Sequence, residues 1–220
     1  MPLLKTWEYG TARFAIWHVT ETVEALRQHL SHTVFPYDEE MEQLKSPMRK
    51  LEYVATRVLL AHLCGKEEYI MHQPSGKPYC PKGNFHLTIS HTKRYVAVGI
   101  CPDAEIGIDI EYQSSRVMNV ISKFLSLKEI CQMPQDTEQK NLYALLSWSA
   151  KETVFKVLNK DGIDFAEHLQ IAPFDLTDSP VLNVTETRTK RQQQYVVHGS
   201  WNEAFVCTWC TTLPPTFSAE

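Results

Sequence analysis

The chain of 220 residues carries a formal net charge of −4, has a pI near 6.1, and is 43% hydrophobic. This length accommodates one large domain or two small ones, and the acidic balance argues against nucleic acid as the main partner. No stretch approaches the roughly eighteen apolar residues of a membrane span, and MPLLKTWEYG at the amino terminus lacks the long apolar run of a secretion signal, so we expect a cytoplasmic protein without membrane contact.

The first half of the sequence begins with a short apolar strand at residues 14–19. A helical stretch near Glu21 to His32 follows, and then a longer helix across Arg49 to Cys64. A loop is expected over Tyr69–Asn84. Two apolar runs, FHLTIS and YVAVGI, then predict strands on either side of a polar turn at His91 to Arg94.

The second half repeats this order of element types. The apolar run IGIDIE (residues 106–111) predicts a buried strand, and helices follow near Arg116 to Phe124 and across Leu145 to Leu158. A loop is expected at residues 176–193, and YVVHGS and AFVCTWC predict two closing strands. The pattern predicts an α+β protein of two similar halves, residues 1–104 and 105–220, although it is a repeat of element types and not of sequence.

Six cysteines are scattered through the chain, and we expect them to be reduced thiols. Cys207 and Cys210 form a C-x-x-C spacing. On a strand this spacing directs the two side chains to opposite faces, and no second pair completes a zinc site, so we do not expect metal or redox chemistry there.

Acidic residues lie on the strand that opens the second half and on its longer helix. Asp109 and Glu111 lie two apart on the predicted strand and therefore share a face. Glu152 and Lys156 lie four apart on the predicted helix and also share a face. Either pair alone is more often a feature of a solvated surface than of an active site, but the first is embedded among isoleucines, where an unpaired charge is costly. Three converging acids call for a cation, and Mg²⁺ with a phosphate substrate is the predicted combination.

Four segments, in this order, resemble the motifs of the 4′-phosphopantetheinyl transferases. They are SGKPY (residues 75–79), HLTISHT (86–92), GIDIE (107–111) and WSAKETVFK (148–156). The chain length is similar to that of the surfactin-type, monomeric branch of the family.

The resemblance implies a reaction and a fold. Members transfer 4′-phosphopantetheine from coenzyme A to a serine of an apo acyl or peptidyl carrier protein, as holo-[acyl-carrier-protein] synthases, and release adenosine 3′,5′-bisphosphate. The implied fold has two α+β halves related by a pseudo-twofold axis, with the active site between them. The implied partners are coenzyme A, a carrier protein and Mg²⁺.

The resemblance also implies residue roles in the second half. Asp109, Glu111 and Glu152 match the Mg²⁺-binding acids, and Lys156 matches a lysine that stabilises the leaving group. Glu152 could also orient or deprotonate the serine hydroxyl. Lys151 matches the motif, with a catalytic and a structural role both open.

In the first half, the implied contacts are to coenzyme A. Ser90 and His91 match positions that hold its phosphates, and Arg49 is the predicted 3′-phosphate contact, with Arg57 either a second contact or structural. The segment that would lie against the nucleotide consists of Gly76, Lys77 and Pro78.

Two other functions are compatible with clustered acids and a lysine. A metal-dependent phosphohydrolase, such as a nuclease, commonly has the lysine two residues after an acid on the strand, whereas Gln113 occupies that position after Glu111. A non-catalytic module that binds coenzyme A or a carrier protein would not require all three acids and Lys156, which are present.

Overall fold

The computed structural model describes residues 3–31 and 35–212. They divide into two compact units between Ala104 and Glu105. Each unit has helices packed on an antiparallel sheet, so the protein belongs to the predicted α+β class. Among the described helices, none is both long and apolar enough to cross a membrane.

The first unit is built on a sheet with the strand order β1-β2-β6-β5, in which all neighbours are antiparallel. Strands β3 and β4 form a separate two-stranded ribbon. The elements in chain order are β1 (Leu3–Tyr9), β2 (Ala12–His18), α1 (Val23–Arg27), α2 (Tyr37–Glu42), α3 (Pro47–Cys64), β3 (Met71–His72), β4 (Pro78–Tyr79), β5 (His86–Thr92) and β6 (Tyr95–Cys101).

Helix α3 supplies the core of this unit. It begins with Pro47, whose missing N–H costs nothing in the first turn, and ends before Gly65, which adopts φ 70° at the carboxyl-terminal cap. Its buried apolar side chains recur at helical spacing and face β2 and β6. They are Leu51, Val54, Ala55, Val58, Leu59, Leu60 and Leu63.

The second unit has the strand order β7-β11-β10-β9-β8, again antiparallel throughout. The elements in chain order are β7 (Ile106–Tyr112), a 3₁₀ helix (Ser115–Lys123), α4 (Leu127–Cys131), α5 (Thr137–Leu158), α6 (Phe165–His168), β8 (Leu169–Ile171), β9 (Val181–Glu186), β10 (Gln194–Trp201) and β11 (Phe205–Thr211).

Helix α5 is the long element that packs on this sheet. Asp136 caps its start by accepting from the Gln139 N–H, and Asn159 ends it in the left-handed conformation with φ 47°. The helix lies so close to β7 that a Cβ on Gly107 would stand 2.2 Å from the Thr153 carbonyl oxygen. Only glycine allows this approach.

Several expectations about elements were wrong. Residues 176–193 contain strand β9 rather than a loop, and residues 71–79 contain the β3–β4 ribbon. The helix expected near Arg116 to Phe124 is present, as a 3₁₀ helix over Ser115–Lys123. Of the helix expected from Glu21 to His32, Val23–Arg27 is helical, and residue 32 lies outside the described residues.

The two units share part of their topology. The strand order β2-β6-β5 in the first matches β7-β11-β10 in the second, with a leading strand beside the last strand of a hairpin. The additional strands differ, because β1 extends the first sheet beside β2 whereas β9 and β8 extend the second beside β10. The pseudo-twofold axis stays a prediction.

Candidate active site

Strand β7 and helix α5 bring acidic side chains to one lysine in the second unit. Asp109 is 4% exposed, and the Lys156 ammonium donates to its Oδ1 at 2.8 Å and to the Ile108 carbonyl oxygen at 2.9 Å. The charges of Glu111 and Glu152 both interact with Asp109 and Lys156. The structure therefore groups the four residues that the sequence pattern grouped.

The carboxylates perturb one another electrostatically. Burial raises the pKa of Glu152 to about 7, and Asp109 adds to the rise while Lys156 opposes it. The pKa of Glu111 is also raised, first by burial and then by Asp109, against a hydrogen bond from Trp148. When ionised, these three carboxylates carry more negative charge than the single Lys156 ammonium can balance.

A divalent cation would supply that charge. The donors of Asp109, Glu111 and Glu152 are carboxylate oxygens, which are the ligands that Mg²⁺ prefers, so the chemistry of the site fits this ion. In the described ranges, no three His, Cys, Asp or Glu side chains already form a metal-binding group. An ion would therefore have to draw these carboxylates together and compete with Lys156 for Asp109.

Trp148 holds one of these acids. Its Nε1 donates to Glu111 Oε1 at 2.7 Å, and its ring packs against Phe124 and Phe165 with centroids 5.2 and 5.5 Å away. The hydrogen bond was not predicted. The available signal was its spacing, because Trp148 lies four residues before Glu152 and shares its helix face.

Lys151 has a different environment from Lys156. It is 0% exposed, and its ammonium contacts Glu129 Oε1 at 2.7 Å, the Phe124 carbonyl at 2.6 Å and the Phe165 carbonyl at 3.0 Å. Burial lowers its pKa, against the attraction of Glu129. Since an ammonium has three donors and all three are used, none remains for a phosphate. This geometry argues against Lys151 as a catalytic group and favours the structural role that the motif left open.

Glu129 is a site-supporting residue that was not predicted from the sequence. Its side chain completes the capping box of α4 with Ser126, and its Oε1 accepts from the Ile171 N–H at 2.9 Å. Together with Lys151, it connects α5 to the 3₁₀ helix, α4, α6 and β8. The Lys151–Glu129 pair therefore supports the helix that carries Glu152 and Lys156.

The first unit contains a pocket of about 220 Å³ between α3, β5 and the segment before β4. Its apolar side is formed by Leu44, Tyr53, Ile70 and Ile89. Its polar residues are Arg49, Glu52, Thr56, Arg57, His72 and His91. The sequence-predicted residues Arg49, Arg57 and His91 therefore line one cavity.

Glu52 connects two of these residues. Arg49 Nη1 is 3.3 Å from Glu52 Oε2 and 3.5 Å from His91 Nε2, and His91 Nδ1 is 3.4 Å from Glu52 Oε1. The guanidinium and imidazole thus lie side by side, an arrangement suited to a phosphate group. An arriving anion would have to displace part of the contact with Glu52.

Arg57 mainly joins helices. It is 7% exposed, its Nη1 donates to the Tyr53 carbonyl at 3.1 Å, and its Nη2 lies 3.4 Å from Glu40 on α2. Glu40 also accepts from the hydroxyls of Tyr53 and Tyr69. The guanidinium therefore joins α3 to α2, which favours a structural role, and its buried Nε finds no acceptor among the described residues.

Other predicted contacts lie outside this pocket. Ser90 is buried on β5, and because neighbouring strand residues point to opposite faces, it faces away from His91. Gly76 has φ 87° and closes a turn with its N–H donating to the Gln73 carbonyl at 2.8 Å. Lys77 and Pro78 continue into β4, where Pro78 pairs with the pocket residue His72.

Comparison with known proteins gives two findings. Residues 105–210 match the family model described as the 4′-phosphopantetheinyl transferase superfamily. The 4′-phosphopantetheinyl transferase psf-1 of Bacillus pumilus is 33% identical over 93 residues, which are 41% of this chain and 39% of that protein. The match thus spans well under half of the relative. Residues 105–210, slightly under half of the chain, contain the acids, Trp148 and both motif lysines, so the region that carries the candidate site is similar to the 4′-phosphopantetheinyl transferase superfamily.

Proposed function

We propose that this protein transfers 4′-phosphopantetheine from coenzyme A to a serine hydroxyl of an apo acyl or peptidyl carrier protein and releases adenosine 3′,5′-bisphosphate. The similarity of residues 105–210 to the superfamily supports transfer of this group. The observation that carries the proposal is the set Asp109, Glu111 and Glu152 arranged with the Lys156 ammonium. This set has the acids and the cation that phosphoryl transfer requires.

In the proposed reaction, the serine oxygen attacks the phosphorus that bears the pantetheine arm. The bond from that phosphorus to the bridging oxygen breaks, and the bisphosphate leaves with the bond electrons. Lys156 donates to the oxygens where negative charge grows. Glu152, on the same helix face as Lys156, is the proposed acceptor of the serine proton, directly or through a water molecule. Bound Mg²⁺, held by Asp109, Glu111 and Glu152, would neutralise pyrophosphate charge.

For the nucleotide end of coenzyme A, we propose the pocket of the first unit. Arg49 and His91 would contact the 3′-phosphate, because they offer adjacent cationic and imidazole donors. The surfactin-type branch, a monomeric state and a cytoplasmic location also remain proposals from the sequence.

The test is intact-mass measurement of candidate apo carrier proteins after incubation with the protein, coenzyme A and Mg²⁺. A mass increase of one phosphopantetheine on the carrier, lost when its acceptor serine is replaced by alanine, is the expected result. Hydrolysis of coenzyme A without carrier modification would indicate a phosphohydrolase. Binding of coenzyme A without turnover of acyl or peptidyl carriers would indicate a non-catalytic module.

A further inference from the structure

Three buried hydroxyls join α5 to strand β11, next to the strand that carries Asp109. Ser149, Thr153 and Thr208 are all 0% exposed. Thr208 Oγ1 lies 2.9 Å from Ser149 Oγ and 2.7 Å from Thr153 Oγ1, and Thr153 Oγ1 also donates to the Thr208 carbonyl at 3.2 Å. One arrangement of protons serves all three contacts: Ser149 donates to Thr208, Thr208 donates to Thr153, and Thr153 donates to the carbonyl.

Thr208 occupies a defined position relative to the proposed site. In the β7–β11 pairing its direct partner is Asp109. Its helix partners, Ser149 and Thr153, lie on α5 close in sequence to Glu152 and Lys156. Lys156 in turn donates to Asp109. The contacts therefore form a closed ring from β7 to β11, through the hydroxyls to α5, and back to β7.

Gly107 completes this arrangement. A side chain at this position would collide with the Thr153 carbonyl at 2.2 Å and with Val157 at 2.9 Å. The glycine lets α5 approach β7, but close packing alone does not fix the position of the helix along the strand. The hydrogen bonds between Thr208 and two successive turns of α5 are directional, so they can fix that position.

We propose that Thr208 is a positioning residue for the reaction: its hydroxyl bonds to Ser149 and Thr153 set where α5 lies on β7 and β11, and thereby where Lys156 meets Asp109. This inference rests on the proposed transferase function only for its kinetic consequence. The geometric consequence concerns the contact between Lys156 and Asp109 and is measurable without any substrate.

The kinetic test compares Thr208→Val, which keeps the shape but removes the hydroxyl, with Thr208→Ser, which keeps the hydroxyl. Small displacements of reacting groups are costly, so Thr208→Val should lower kcat by about tenfold to a hundredfold at saturating coenzyme A and carrier. Its KM for coenzyme A should change little, and Thr208→Ser should remain close to wild type. Ser149→Ala removes a single bond, and it serves as the milder variant if Thr208→Val folds poorly.

The matched control is Ser147→Ala. Ser147 is 1% exposed on the same helix, but its hydroxyl donates to the Tyr143 carbonyl within α5 at 2.8 Å. Its loss should affect stability in the same way as loss of any buried hydroxyl and leave kcat unchanged. Equal kcat losses in Ser147→Ala and Thr208→Val would overturn the positioning role.

The second measurement is a double-mutant cycle of Lys156→Met and Asp109→Asn, followed by urea unfolding. If Thr208 positions α5, the coupling between these two residues should shrink by about half or more in the Thr208→Val background, and stay the same in the Ser147→Ala background. An unchanged coupling would refute the proposal even if the protein is a transferase. A reduced coupling in a protein without transferase activity would sustain the positioning role and contradict the proposed function instead.

Discussion

Lys156 is the residue through which we propose that Asp109, Glu111 and Glu152 act on a substrate. Its ammonium donates to Asp109 and also to the Ile108 carbonyl, and the contact with the carbonyl does not depend on the carboxylates that a cation would bind. A preorganised charge of this kind stabilises a transition state more than it stabilises a bound substrate, because it costs no reorganisation when negative charge develops.

Lys156→Ala should therefore lower kcat by roughly a hundredfold or more while changing coenzyme A affinity much less. Lys156→Arg should restore part of the rate, since it keeps the charge but changes its shape and reach. Kinetics at saturating substrates and calorimetric binding of coenzyme A separate the two effects. Lys160→Ala, at an exposed lysine just beyond α5, is the control and should retain full activity. A loss of affinity with kcat preserved in Lys156→Ala would make Lys156 a ground-state phosphate clamp.

Arg49 and His91 are expected to act in binding. Arg49→Ala and His91→Ala should raise KM for coenzyme A with little change in kcat, because the 3′-phosphate is bound alike in the ground and transition states. Dephospho-coenzyme A should be a poorer substrate for the wild type, and its penalty should be smaller in each variant. Lys50→Ala, next to Arg49 but not lining the pocket, is the control. The same penalty in wild type and both variants would remove these residues from the 3′-phosphate site.

At the scale of elements, a buried ion pair supports helix α5. Lys151 and Glu129 together contact Phe124, Phe165 and Ile171 through the backbone, so they join α5 to four other elements. Breaking such a pair leaves an uncompensated buried charge, whereas replacing both partners by apolar residues removes the charge altogether.

Lys151→Met should lower the free energy of unfolding by about 3–5 kcal/mol, measured by urea denaturation. The double variant Lys151→Met with Glu129→Leu should recover much of the loss. Lys160→Met, at an exposed lysine just beyond the same helix, is the control and should leave the free energy of unfolding close to that of the wild type. If Lys151→Met kept its stability but lost its activity, the lysine would be catalytic, as one of the two sequence-based alternatives had it.

At the scale of the whole molecule, ligand binding should increase the stability of the folded protein against heat. A ligand that binds only the folded state stabilises it by about 2.7 kcal/mol at a concentration one hundred times its Kd. Coenzyme A with Mg²⁺ should therefore raise the melting temperature measured by calorimetry. EDTA should remove the Mg²⁺-dependent part of the rise and silence transfer reversibly.

Asp109→Asn provides the control for the metal part of this prediction. It removes one carboxylate charge without removing the side chain, so the increment from Mg²⁺ should disappear while that from coenzyme A alone remains. Full transfer activity in chelator, or a Mg²⁺ increment that survives in Asp109→Asn, would contradict the metal assignment.

The sequence by itself determined the class of the fold, most of the longer strands and the grouping of Asp109, Glu111, Glu152 and Lys156. These follow from local rules, since apolar periodicity marks buried faces, and spacings of two on a strand and four on a helix place side chains together. The sequence also contained a short signal for strand β9, because the apolar Leu182 and Val184 flank the polar Asn183, and both are buried in the structure. The signal is short and polar residues follow it, so the segment was expected to be a loop.

Only the tertiary structure decided which of the predicted site side chains are fully held by buried partners and which remain accessible. Lys151 and Lys156 are two lysines of one helix motif, yet packing buries the first against Glu129 and leaves the second at Asp109. Arg49 and Arg57 lie on one helix, yet the first is largely exposed at the pocket and the second is tied to Glu40. Such differences depend on partners such as Glu129 and Glu40, which come from other parts of the chain, and no spacing rule within a motif contains them.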